Sequence, residues 1–258
     1  VISENQKIAI ESVLKFLFRK FIKRFNIFIK KIILKKILFL FFVVSSFSYC
    51  QTKVDKKALK TELDSIYKVD QTFRSLLDRS TEDDITFLNK QGYTLDEFKR
   101  NSWPIINKHD SLNLIIIEEI IKKHGYPGKS LVGEPTNKAA WYVIQHSDKI
   151  NKYLPIIEKA GKENELPMTL VAMMKDRQLM FDNKEQIYGT QGTTRMITNK
   201  VTGKQEYRWF IWPIKNPENI NQLRKSTGFS TTVEENAARL DIVYKVYTLE
   251  QVKNLDFD

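Results

Sequence analysis

Apolar residues recur at three- and four-residue spacing over most of the chain beyond residue 56, and this periodicity limits the fold more than any other feature. Within 57–79 such residues share one helix face and are Leu59, Leu63, Ile66, Phe73 and Leu77. Similar patterns predict helices over 110–124, 136–147, 154–159, 167–181, 217–226 and 232–249. Asp110 is the expected N-cap of the second helix, and Gly125 follows its end. Helices of this kind bury their apolar faces against one another.

The periodicity changes between residues 186 and 212. Tyr207, Trp209 and Ile211 alternate with other residues as in a strand, and a glycine-containing turn at 199–204 precedes them. This pattern predicts a β-hairpin over about 186–212. The expected fold class is therefore α+β, mostly α: a helical bundle with one β-hairpin near the C-terminal third, forming a single domain over 51–258.

Residues 30–50 have the pattern of a secretory signal peptide. Four lysines between 30 and 36 precede the apolar run 37–44, and Ser48 and Cys50 supply small residues at positions −3 and −1. The run is shorter than the roughly 20 residues that cross a bilayer of about 30 Å, and it lacks the polar face of a core helix. We expect export to the periplasm or outside the cell, with 1–50 an upstream segment plus signal peptide.

Cleavage is expected after Cys50, and contact with the membrane only through this leader. The alternative is a lipoprotein with a lipid on Cys50, but Tyr49 is large for the position before a lipidated cysteine. Cys50 is the only cysteine, so the mature domain would contain no disulfide and would depend on its core.

The positive charge of the chain is concentrated in its first fifty residues. The whole chain has a net charge of +11, whereas 51–258 contains 32 basic and 29 acidic residues, a net charge of +3. Proteins that bind nucleic acid present a concentrated basic face. We therefore expect no nucleic-acid partner.

Several polar residues occupy positions where packing alone would favour apolar ones. Asp70 lies on the apolar stripe of the first helix, where it either pairs with Arg74 or lines a cleft. His146 shares a face with small apolar residues and is either a satisfied core group or a catalyst. His124 ends a helix, where it either compensates the helix dipole or acts in a cleft.

The almost wholly apolar helix 167–181 contains Asp176 and Arg177, and charges in a central helix must be paired or functional. If these polar residues converge on one cleft, His124 or His146 would do acid–base work with Asp176 beside Arg177. The remaining members would bind a polar ligand or an oxyanion and are Asp70, Gln145, Tyr188, Thr190 and Gln191.

Short motifs occur in a specific order between about residues 60 and 246. They are His124-Gly-Tyr-Pro-Gly, Val132-Gly133, Ala140-Trp141, Gln145-His146-Ser-Asp148, Asp176-Arg177, Gln186-Ile-Tyr-Gly-Thr-Gln191, Pro213-Ile214 and Leu223-Arg224 followed by Gly228. This order resembles an uncharacterised bacterial family labelled only as a domain of unknown function. The resemblance implies an exported, mostly helical domain with a hairpin, and it implies no particular activity.

A weaker similarity points to one chemistry. The rhythm of Leu166-Pro167, Leu170, Ala172 and Asp176, followed by the glycine–glutamine turn 188–191, is similar to lytic transglycosylases, exported enzymes that cleave peptidoglycan with one glutamate. Here the acid position holds Asp176. The adjacent Arg177 would favour the ionised carboxylate, which is the opposite of what a general acid needs.

Other catalytic signatures are missing from the sequence. It has three histidines without metal-ligand spacing, no His-Glu-x-x-His, no Gly-x-Ser-x-Gly and no glycine-rich phosphate loop. We therefore expect no metal and no cofactor. The favoured function is binding of a small polar or envelope-derived ligand, or of a partner protein, in a polar cleft. The alternative is an acid–base enzyme resembling hydrolases.

Overall fold

Helices form most of the computed structural model, which describes residues 54–200 and 202–257. Their bounds are α1 Lys56–Asp78, α2 Glu82–Lys90, α3 Leu95–His124, α4 Lys129–Val132, α5 Ala139–Gln145, α6 Ile150–Lys162, α7 Met168–Phe181, α8 Ile220–Thr227, α9 Val233–Arg239 and α10 Leu249–Lys253, with 3₁₀ turns at Thr136–Lys138 and Pro217–Asn219. Strands β1 (Gly192–Thr198) and β2 (Gln205–Ile211) form an antiparallel hairpin. The predicted class, α+β and mostly α with one hairpin in the C-terminal third, is confirmed.

Helix α1 forms the centre of the N-terminal half. Its N-cap is Asp55, whose Oδ1 accepts hydrogen bonds from the amides of Lys57 and Ala58, both at 3.0 Å. The predicted apolar stripe is buried against α3 and α5 up to Phe73, with Leu63 and Phe73 almost fully excluded from solvent. Its last member was wrong: Leu77 is 40% exposed, and Leu76 is the buried residue of that turn. Burial of each such side chain is worth about 1.5–3 kcal/mol. Asp70 lies on the same buried face.

Helix α3 begins fifteen residues before the predicted start at residue 110, so the assignment of Asp110 as an N-cap is wrong. Thr94 and Glu97 form a capping box that fixes the true start. Pro104 lies inside the helix and is accommodated by a kink at Asn101, where φ is −132° and ψ is 34°. Asp110 therefore projects from the middle of a long helix.

The end of α1, helix α2 and the start of α3 enclose a small aromatic core. Its buried members are Phe73, Leu76, Leu88, Phe98, Ile105 and Ile106. Phe73 stacks on Phe98 with ring centroids 5.9 Å apart. This core holds the C-terminal half of α1 against α3 and so positions the polar residues between them.

The hairpin and the C-terminal segment pack together. Phe210 and Trp212 contact Tyr247 and Phe257, while Ile211 packs with Ile242 and the residues of α8 and α9. The predicted helix over 232–249 is wrong beyond Arg239, because the chain between α9 and α10 is not helical. Ile242 and Tyr247 are buried in two different clusters, and the non-helical segment between them makes both contacts. Within the described residues no helix has the length and apolar character needed to cross a membrane.

Candidate functional site

A buried polar cluster lies where α1, α3 and α5 meet, and its central group is the carboxylate of Asp70. The Asp70 side chain is fully excluded from solvent. It accepts hydrogen bonds from Gln71 Nε2 at 2.6 Å, Arg74 Nη1 at 3.0 Å and His146 Nδ1 at 3.1 Å. A buried carboxylate requires such partners, because burial without them is strongly unfavourable. We call Asp70, Arg74, Asp110 and His146 the His146 cluster.

Arg74 joins α1 to α3 within this cluster. Its Nη1 and Nη2 donate to Oδ1 and Oδ2 of Asp110 at 3.1 and 2.7 Å. Bidentate pairs of this kind are geometrically specific as well as strong. Asp110 was predicted as a helix cap, so this member of the cluster was missed. The α1–α3 contact instead gives Arg74 two carboxylate partners.

The hydrogen bond to Asp70 determines the state of the His146 ring. Because a carboxylate only accepts, Nδ1 must donate, and in the neutral ring Nε2 is then an acceptor. Nε2 has no hydrogen-bond partner among the described residues, and it is not one of their buried unpaired atoms. The side chain is 18% exposed. His146 thus presents an oriented, unpaired base to solvent, which is the arrangement of histidine in carboxylate–histidine catalytic dyads.

Two tyrosines lie beside the buried carboxylate. The rings of Tyr67 and Tyr142 meet edge to face with centroids 5.2 Å apart. Burial raises the pKa of Tyr142, and the neighbouring Tyr67 and the charge of Asp70 raise it further. Tyr142 therefore remains a neutral hydroxyl at ordinary pH. Neither tyrosine was expected from sequence, since aromatic residues at helical spacing usually belong to the core.

Arg177 lies on α7, near Arg74. It is half-buried, and among the described residues it has no ion pair and no hydrogen-bond acceptor. Burial lowers the pKa of its guanidinium, and the positive charge of Arg74 lowers it further. Consecutive helix residues project about 100° apart, so Asp176 points elsewhere. Asp176 and Arg177 form no ion pair with each other in the described structure, so of these two charges only Asp176 has internal partners.

Asp176 instead holds the turn at 186–191. Its fully buried carboxylate accepts hydrogen bonds from the amides of Ile187 (2.7 Å), Tyr188 (3.0 Å) and Thr190 (3.0 Å), and from the Thr190 hydroxyl (2.9 Å). Burial raises the pKa of Asp176, whereas these hydrogen bonds lower it. The described contacts give His146 the carboxylate of Asp70 rather than that of Asp176.

The remaining polar groups of the turn also have internal partners. Gln191 Nε2 donates to the Met173 carbonyl at 3.3 Å and to the Thr190 hydroxyl at 3.0 Å. The buried side chain of Gln186 donates to the carbonyls of Gln191 and Trp212 at 3.0 and 2.7 Å. Arg224 donates to the Tyr188 carbonyl at 2.8 Å. These bonds fasten the turn to α7, α8 and the hairpin.

His124 lies in a different place, at the end of α3. It lines an open cleft of about 380 Å³ together with Tyr126, Lys159, Glu163 and Glu165. The candidate residues thus divide into three groups: the His146 cluster with Arg177 nearby, the Asp176 turn, and the His124 cleft. Gln145 is buried at the end of α5, directly before His146.

The chain matches no protein-family model, and no curated protein or solved structure shows significant similarity to it. The part of the chain that the structure describes contains no group of three histidine, cysteine, aspartate or glutamate side chains placed to hold a metal ion. Any function assigned to the chain therefore depends on the geometry of the three groups.

Proposed function

We propose that the His146 cluster binds a small polar ligand, and that Nε2 of His146 contacts it directly. The observation that supports this proposal is the asymmetry of the imidazole: Nδ1 is fixed by the buried Asp70 carboxylate, while Nε2 is unpaired and reachable by solvent. A buried Nδ1–H needs an acceptor in any histidine, so the unpaired, solvent-reachable Nε2 is the feature that favours ligand binding.

The Asp176 turn supports this choice of site by contrast. Its carboxylate, amide and hydroxyl groups are occupied by internal hydrogen bonds, so they offer a ligand few free donors or acceptors. The signal-peptide pattern indicates that the protein would bind its ligand outside the cytoplasm, and an envelope-derived molecule agrees with this location.

Acid–base catalysis is the second candidate, and the same asymmetry favours it. An aspartate that fixes the tautomer of a histidine leaves Nε2 as a proton acceptor for a substrate hydroxyl or a water. In this alternative His146 is the catalytic base and Asp70 its positioning residue. Arg74, held by Asp110, would fix the orientation of Asp70.

A ligand screen on matched histidine variants tests the proposal. Small envelope-derived compounds, including peptidoglycan fragments and sugar phosphates, are screened by thermal shift on the parent protein, His146→Gln and His124→Gln. We expect the shift produced by a ligand to be lost in His146→Gln and kept in His124→Gln. A shift that survives in His146→Gln would place the ligand elsewhere. Mass spectrometry of the incubated compounds distinguishes turnover from binding.

A further inference from the structure

The positive charge of the half-buried Arg177 guanidinium has no negative partner among the described residues. Arg74 has two carboxylate partners, Arg208 pairs with Glu206 at 2.9 Å, and buried Arg224 donates to carbonyl and hydroxyl oxygens. Among the buried and half-buried arginines of residues 54–200 and 202–257, Arg177 alone has no hydrogen-bond acceptor. Removing a guanidinium from water without a counter-charge is unfavourable.

The surroundings of Arg177 supply no counter-charge among the described residues. The neighbouring charge that affects its pKa is that of Arg74, which has the same sign. Asp176, the adjacent acid in sequence, points its carboxylate at the turn and not at Arg177. Arg74 is itself balanced by Asp70 and Asp110. The described residues therefore leave the charge of Arg177 without a partner, and an anionic group of a ligand would supply one.

From this geometry we infer that Arg177 binds an anionic group of the ligand, a carboxylate or a phosphate, while another part of the same ligand reaches His146. This inference rests on the proposed ligand site at the His146 cluster. The planar guanidinium fork offers two parallel N–H donors that match two oxygens of such an anion. Nε2 of His146 complements it by accepting a hydrogen bond from a hydroxyl or a bound water.

Calorimetric titration with inorganic phosphate and, separately, with acetate tests this assignment at constant ionic strength. The variants are Arg177→Gln, Arg177→Lys and Lys175→Gln. The last removes the same charge from the same helix at a position already paired with Glu158 at 2.9 Å. We expect at least one anion to bind the parent saturably and to bind Arg177→Gln at least tenfold more weakly. Arg177→Lys should be intermediate, and Lys175→Gln should match the parent.

Equal affinity of the parent and Arg177→Gln, or the absence of saturable binding of both anions to the parent, would overturn the inference. Urea unfolding of Arg177→Gln shows whether the variant is folded, and Arg177→Lys keeps the test informative if it is not. The preferred anion distinguishes phosphate from carboxylate. Loss of the compound-induced shift in His146→Gln together with unchanged anion affinity in Arg177→Gln would leave the proposed function standing and remove only this inference.

Discussion

Two adjacent charged residues of α7, Asp176 and Arg177, differ in whether their charges have hydrogen-bond partners. The Asp176 carboxylate is fully buried but accepts hydrogen bonds from four donor groups, whereas the half-buried Arg177 guanidinium has no acceptor among the described residues. A satisfied buried charge becomes costly to replace, because its former partners lose their acceptor. An unsatisfied charge is costly to keep, so its replacement relieves the folded state.

Asp176→Asn should lower the free energy of unfolding by about 3–5 kcal/mol, because an amide NH₂ group would face backbone N–H donors. Arg177→Gln, at the neighbouring position, is the control and should leave the free energy of unfolding unchanged or raise it. Urea unfolding of the two variants at pH 7 measures both effects. An unchanged midpoint for Asp176→Asn would mean that the turn does not depend on this carboxylate.

Gly189 gives the same turn a backbone conformation and a close packing that a larger residue would disturb. Its φ is +64°, and an added Cβ would lie 2.8 Å from Val233 Cγ2 and 2.9 Å from Ile214 Cδ1. Gly189→Ala should therefore cost about 2–4 kcal/mol from backbone strain and overpacking together. Gly228→Ala is the control: its φ is +97°, but the nearest atom is 3.8 Å from the added Cβ.

Strain alone should limit the cost of Gly228→Ala to about 1 kcal/mol. Thermal or urea unfolding compares the two variants directly. Equal destabilisation would show that the close packing around Gly189 relaxes without cost.

At the scale of elements, α3 and α6 are joined by a charged group on Glu118. Its carboxylate accepts hydrogen bonds from Lys149 at 2.9 Å, Lys152 at 2.8 Å and Tyr153 at 2.7 Å. The hydrogen bonds from Lys152, Lys149 and Tyr153 lower the pKa of Glu118 to about 2. The ionised form is thus favoured in the folded state.

Glu118→Gln should reduce the free energy of unfolding by about 1–2 kcal/mol at neutral pH. Because the folded pKa lies below the ordinary value of 4.5, this stabilisation is fully present above pH 4.5 and is lost as the pH falls toward 2. Urea melts of both proteins at pH 7 and pH 3 measure the difference. Glu119→Gln, at a neighbouring and more exposed position, is the control and should change little.

Periodicity in the sequence predicted α1, α7 and the hairpin because each has a local pattern that tertiary contacts reinforce. The start of α3 was missed because Asp110 was taken as its N-cap, although Thr94 and Glu97 form a readable capping box. The segment after Arg239 was predicted as helix because apolar spacing alone does not distinguish a helix from an extended chain that contacts two clusters.

The sequence could predict individual residues of the candidate site, but not the contacts between them. Asp70 and His146 were selected because each polar residue lies on an apolar face, but their pairing joins positions 76 residues apart. Local spacing contains no information about such a contact. The bonds from backbone amides to Asp176 were equally inaccessible, because every residue has an amide and sequence does not reveal which ones lack a partner.

At the scale of the whole molecule, Asp55–Asp258 form one compact unit. A chain produced from Gln51 onward should therefore fold without residues 1–50 and unfold in one cooperative transition. Coincident urea transitions by circular dichroism and tryptophan fluorescence would verify this. Two separate transitions would indicate that part of this unit unfolds independently.

Processing of the leader is a second prediction at this scale. The sequence pattern predicts an exported product whose first residue is Gln51. Terminal sequencing or intact-mass measurement of the secreted protein gives the result. A product that retains residues 31–50 would contradict signal-peptide cleavage, and a lipid on Cys50 would support the lipoprotein alternative.

The Asp176 turn has a kinetic consequence for the native protein. Its amides at Ile187, Tyr188 and Thr190 belong to no helix or strand, yet each is bonded to a buried carboxylate. Such amides exchange their hydrogen with deuterated solvent only when the turn opens, and opening would break its contacts with α7, α8 and the hairpin together. This loop should therefore be protected from hydrogen exchange as strongly as the middle of α7.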